Sequence, residues 1–149
     1  MNVRLGSLAL LIGFSTLAFA DPKATFKLQL PPKVTVGKSF TATLVVTFPN
    51  GWHGYQNPPT NKFLNAVTVR SAQGAKFGKA SYPKGVMKTV AGEKIAIYEG
   101  VVKIPVTLTV SKPGAQNIKL DVLYQQCNDS TCMPPAIKSV SASVKASKA

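Results

Sequence analysis

The chain has 149 residues, the size of one domain rather than two. Its 18 Lys and Arg against five Asp and Glu give a net charge of +13, but the lysines are scattered from Lys23 to Lys148 with no dense run. That pattern argues a solvated basic surface and no nucleic-acid partner, while Asp21, Glu93, Glu99, Asp121, Asp129 and the single His53 are too few for most hydrolytic or multi-histidine zinc chemistry.

Residues 1–20 read as a secretory leader: Arg4, an apolar stretch from Leu5 to Leu17, then Ala18-Phe19-Ala20 before Asp21. The stretch falls short of the roughly 20 residues of a comfortable membrane span, so cleavage after Ala20 is expected. No later segment is apolar enough to cross a bilayer, and export places the mature chain in an oxidising compartment.

From Ala24 onward the apolar residues alternate. Phe26, Leu28 and Leu30 come first, followed by the run Phe40–Phe48, then 66–70, 94–98, 101–110, 118–124 and 137–144. Pro49-Asn50-Gly51, Asn57-Pro58-Pro59, Gly74, Pro83-Lys84-Gly85 and Lys112-Pro113-Gly114 punctuate the gaps. Short strands at this spacing predict an all-β, immunoglobulin-like sandwich of two sheets over 21–149, a single domain expected to be a monomer.

Cys127 and Cys132, separated by Asn-Asp-Ser-Thr, are the one reactive pair. They are too close in sequence to be the inter-sheet staple of an immunoglobulin domain. Ile118, Leu120, Val122 and Tyr124 share one strand face, and continuing that alternation puts Cys127 on the opposite face, near the surface. The intervening residues favour a hairpin tip, and Pro134-Pro135 stiffens the exit. A loop this short contributes only about 2 kcal/mol through chain entropy, which suits a bridge that opens and closes as well as a simple staple. Asp129, inside the loop, disfavours a thiolate.

The segment Leu123-Tyr-Gln-Gln-Cys-Asn-Asp-Ser-Thr-Cys-Met-Pro-Pro135 resembles the N-terminal periplasmic domain of the thiol:disulfide interchange protein DsbD. Gly51-Trp52-His53-Gly54-Tyr55-Gln56-Asn57-Pro58 resembles a second segment of that family, and Tyr98-Glu99-Gly100 with Tyr82-Pro83 a third. The resemblance implies a periplasmic domain whose Cys127 and Cys132 pass reducing equivalents between thioredoxin-like proteins, with His53, Tyr55, Tyr124 and Gln126 supporting the pair. It implies no cofactor and no metal. If the domain is an enzyme, its activity is that of a protein-disulfide reductase. Cys127 is the sulfur expected to bond the partner, with Cys132 resolving. The chain ends without the membrane and thioredoxin-like domains of the full-length family protein, so a separate membrane electron donor is expected. Where the family's cap loop carries an aromatic, Pro83–Glu93 here offers Val86, Met87 and Val90. Two other readings compete: a non-catalytic binding or assembly module whose hairpin disulfide is structural, and a Cu(I)-handling protein using Cys127, Cys132, Met133 and His53.

Overall fold

The computed structural model describes residues 22–90 and 92–149, so the leader expected over 1–20 lies outside the described residues. The described residues form eleven strands in chain order: β1 (Thr25–Gln29), β2 (Lys33–Thr35), β3 (Ser39–Thr47), β4 (His53–Tyr55), β5 (Thr68–Gln73), β6 (Lys76–Ala80), β7 (Val86–Val90), β8 (Glu93–Glu99), β9 (Val101–Thr109), β10 (Gly114–Tyr124) and β11 (Ala136–Ser147). One four-stranded sheet runs β1-β3-β9-β6 and a second runs β2-β11-β10-β5.

Alternation decides how the two sheets pack. On β3, Ala42, Leu44 and Val46 are fully buried, opposite Val106, Ile104 and Val102 of β9. From the other sheet, β10 sends in Ile118, Leu120 and Val122 and β11 sends in Val144. All belong to one core, the sandwich predicted from the sequence. Each of the valines, leucines and isoleucines among them stabilises the fold by roughly 1.5–3 kcal/mol on burial. Tyr124, the last of the β10 series, is half-buried and packs edge-on against Phe26 of β1 at 4.8 Å between ring centres.

The sequence reading of two sheets needs one correction. A third sheet of three strands, ordered β4-β8-β7, accompanies the two. It escaped the alternation argument because β4 has only three residues and β7 is an open edge with Val86, Met87, Lys88 and Thr89 all exposed. β2 and the largely exposed β6 were missed for the same reasons of brevity and edge position. Among the described residues no helix is long and apolar enough to cross a membrane.

Candidate functional site at the third sheet

The site begins with a turn. Trp52 N–H donates to Pro49 O at 3.0 Å after Gly51, whose φ of 78° is left-handed, and the chain then enters β4 as His53-Gly54-Tyr55. All three residues are buried. Gly54 lies against the Phe48 ring, where a Cβ would stand 2.3 Å from Cζ. Phe48 is itself buried in the sandwich core, so this close approach seats β4 on the main body of the molecule.

β4 is paired on both edges. On one side His53, Gly54 and Tyr55 face Glu99, Tyr98 and Ile97 of β8. On the other, His53 N–H donates to Cys127 O at 2.9 Å and Cys127 N–H donates to His53 O at 3.0 Å. Directly opposed residues send their side chains to the same face. Cys127, His53 and Glu99 therefore form one row across three adjacent backbones, with Tyr55 two residues along β4 on the same face.

Asn-Asp-Ser-Thr makes the expected hairpin tip. Asn128 N–H donates to Thr131 O at 2.9 Å, Met133 N–H donates to Gln126 O at 2.9 Å, and Asn128 Oδ1 accepts from Ser130 N–H and Thr131 N–H. Cys127 and Cys132 are bonded, with their Cα atoms 4.0 Å apart. Because these hydrogen bonds already close the loop, reducing the bridge is expected to cost no more than about 2 kcal/mol of stability. Urea midpoints with and without reductant check this. A fold that collapses on reduction would mark the bridge as a staple.

The two sulfurs occupy different environments. Cys127 is 1% exposed, packed with Tyr55, Ile95 and Ile97 and flanked by Leu64 and Val90. Cys132 is exposed. This corrects the expectation that Cys127 lies near the surface. The alternation from β10 holds through Tyr124, but at Cys127 the chain has left β10 and pairs with β4, whose sheet covers the face that would otherwise meet solvent.

Tyr55 reaches the pair. Its hydroxyl stands 3.0 Å from Cys127 Sγ and 3.8 Å from Cys132 Sγ. Burial raises the hydroxyl pKa above its ordinary value, so it remains a donor to sulfur. His53 is 4% exposed and its ring meets Tyr55 edge-on at 5.8 Å. Burial lowers its pKa below the usual imidazole value; Glu99 and Asp129 pull it up, and Lys88 adds to the lowering. Among the described residues, His53 Nε2 is the one buried side-chain nitrogen or oxygen with no hydrogen-bond partner.

The other two residues singled out from the sequence hold the frame. Gln126, 1% exposed, accepts from Ala24 N–H at 2.7 Å and donates to Pro22 O at 2.7 Å, tying the start of the described chain to the residue before Cys127. Tyr124 lines a groove of about 300 Å³ with Lys23, Met133, Pro134 and Pro135 at the exit from Cys132. Met133 is thus part of that groove, and among the described residues no group of three or more His, Cys, Asp or Glu is gathered around a point. Sequence reasoning missed the neighbours supplied by β7 and β8. Lys88 and Glu99 form an ion pair beside His53, and Ile95 and Ile97 pack on Cys127. The alternation of β8 signalled buried residues but carried no sign of what they would bury.

Residues 17–143 match the family described as thiol:disulfide interchange protein DsbD, N-terminal. The chain belongs to this family. Among solved structures it is similar to the reduced N-terminal domain of DsbD from Neisseria meningitidis, at 18% identity and a TM-score of 0.51 over 70% of this chain and 77% of that one. It is also similar to the N-terminal periplasmic domain of ScsB from Proteus mirabilis, at 17% identity and a TM-score of 0.54, covering 82% of this chain and 44% of that one. These likenesses carry the immunoglobulin-like sandwich. Comparison with curated protein sequences found no match. In this DsbD N-terminal domain the β7–β8 hairpin lies over the buried sulfur, with Val90 packed against the Cys127 cluster. Beside it, the loop over 56–65 is stitched to both neighbours: Asn61 donates to Glu93 at 3.3 Å, and Asn65 donates to Gln125 at 3.0 Å. Gln125 in turn donates to Met133 O at 3.0 Å.

Proposed function

We propose that this chain is a periplasmic thiol:disulfide interchange domain that relays reducing equivalents between thioredoxin-like proteins through Cys127 and Cys132. The observation that carries the reading is the asymmetry of the pair: one cysteine exposed on a hydrogen-bonded hairpin, the other buried under a tyrosine hydroxyl. Attack on a disulfide runs at the accessible sulfur and expels the other as a thiolate. A partner thiolate therefore bonds Cys132, and Cys127 leaves. This reverses the roles expected from the sequence, because the covered face of Cys127 admits no second protein. In the opposite direction the exposed Cys132 thiolate attacks the partner's disulfide and Cys127 resolves the adduct. The Tyr124–Met133–Pro134 groove beside Cys132 suits the chain flanking a partner's cysteine. The leader, cleaved after Ala20, delivers the domain to the periplasm, where a membrane donor supplies the electrons.

Tyr55 donates its hydroxyl hydrogen to the leaving sulfur. A hydrogen bond to a charged group is worth about 1.5–3 kcal/mol, and about 1.4 kcal/mol is one pKa unit. Tyr55→Phe, made in a Cys132→Ser background so that Cys127 titrates alone, is expected to raise the Cys127 thiol pKa by about one to two units. Thiolate absorbance against pH measures it. An unchanged titration would remove Tyr55 from the mechanism. The exchange reading itself is tested by mixing oxidised protein with a reduced thioredoxin-like protein and following thiol transfer. No transfer, with any such partner, supports the module with a structural disulfide.

A further inference from the structure

His53 stands directly between Cys127 and Glu99 in the row across β4, on the sheet face that also carries Tyr55. Its Nε2 is buried without a partner, although an unsatisfied buried polar atom is costly and rare. The groups facing it are Tyr55 on its own strand, Glu99 opposite on β8, Lys88 of β7 paired to Glu99, and Asp129 of the cysteine hairpin. The sequence contains no other histidine. Ring closure needs a base at this place. When Cys132 has bonded a partner, the thiol of Cys127 must lose its proton inside an apolar cluster, where burial disfavours the bare thiolate.

We infer that His53 is the acid–base group of the exchange, taking the proton of the Cys127 thiol as that sulfur closes onto Cys132 and returning it when the ring opens. The inference rests on Cys132 being the partner-facing sulfur. Freed from Cys132, Cys127 Sγ can turn about its Cα–Cβ bond toward the imidazole on the same face. In the closing step Cys127 Sγ attacks Cys132 Sγ. The bond from Cys132 to the partner breaks, and the partner's sulfur leaves with the electron pair as a thiolate. The Cys127 proton passes to the imidazole, and Glu99 steadies the resulting imidazolium. The protein's two thiols are oxidised to one disulfide while the partner's disulfide is reduced to two thiols, the second protonated from the imidazolium or solvent. Desolvation favours a neutral imidazole at neutral pH, the form that accepts a proton.

Reduced protein mixed with excess dithiodipyridine separates the two steps. Attack by Cys132 releases one thiopyridone at a rate that depends on reagent concentration. Ring closure by Cys127 releases the second at a rate that does not. The closing rate is expected to rise with pH through an inflection below pH 6.5, the ordinary histidine value, and then level off. His53→Gln is expected to slow closure tenfold or more and abolish that inflection, as loss of a positioned acid–base group should. Closure slowed less than tenfold, or a surviving inflection, overturns the role of His53 while leaving the exchange reading intact. A wild-type protein that releases no thiopyridone at all sinks the exchange reading and this inference with it. If His53→Gln fails to fold, Glu99→Gln decides the matter. Removing that charge should move the kinetic inflection to lower pH, together with the titration of the single histidine followed by proton NMR. Inflections that move apart assign the base to another group.

Discussion

Cys127→Ser, mixed with an oxidised thioredoxin-like protein, is expected to give a covalent adduct through Cys132, and Cys132→Ser is expected to give none. The difference is all or none because it is set by access rather than by acidity. With Cys127 replaced, Cys132 keeps its exposed place on the hairpin and bonds the partner, but nothing remains to resolve the adduct. With Cys132 replaced, the surviving thiol is 1% exposed and walled by Tyr55, Ile95, Ile97, Leu64 and Val90. Non-reducing electrophoresis of each variant, followed by mass identification of the bridged peptide, reads the outcome. Iodoacetamide labelling of the folded single-cysteine variants should follow the same order, Cys132 reacting readily and Cys127 slowly. An adduct formed by Cys132→Ser alone would restore Cys127 as the partner-facing sulfur. Failure of both variants with every partner tried points to a structural disulfide.

The second large effect is expected from one methyl group. Gly54→Ala places a Cβ 2.3 Å from Cζ and 2.8 Å from Cε1 of Phe48, well inside contact distance. The Phe48 ring is 2% exposed in the closed core, so it has no room to retreat. Overpacking of this kind costs about 1–3 kcal/mol, and the upper end is expected because the obstacle is a rigid ring. The strand that yields is β4, three residues long, and it carries His53 and Tyr55 on its other face. Gly54→Ala should therefore lower the denaturation midpoint and slow thiol exchange together. A variant as stable and as fast as the parent would show that the approach of β4 to Phe48 is not what seats the site.

The sandwich was legible because its strands are long and half-buried: Ala42, Leu44 and Val46 or Ile118, Leu120 and Val122 write the core face into the sequence at every second position. The hairpin tip was equally legible, since Asn128 to Thr131 are turn residues whose side chains and backbone close the loop locally. What the chain did not announce was the company the hairpin keeps. Parity along β10 is a local rule, and it stops applying where the strand ends at Tyr124. Beyond that point, burial of Cys127 depends on β4 and β8, distant in sequence and joined to it only by long-range pairing. The row of Cys127, His53 and Glu99 is a product of register between strands, which no single segment encodes. His53 and Tyr55 could be singled out from their motif, but Glu99 gains its meaning only when it is found opposite His53.

The clamp made by Gln126 also governs how the protein can be handled. Pro22 and Ala24 are hydrogen-bonded to the side chain adjacent to Cys127, so whatever is joined ahead of Pro22 starts beside the disulfide hairpin. An affinity tag or carrier fused there would crowd the approach to Cys132. β11 instead begins at Ala136 near the hairpin and runs 12 residues to Ser147, about 40 Å at 3.3 Å per residue. A tether or surface immobilisation beyond Ser147 would leave the disulfide hairpin facing outward.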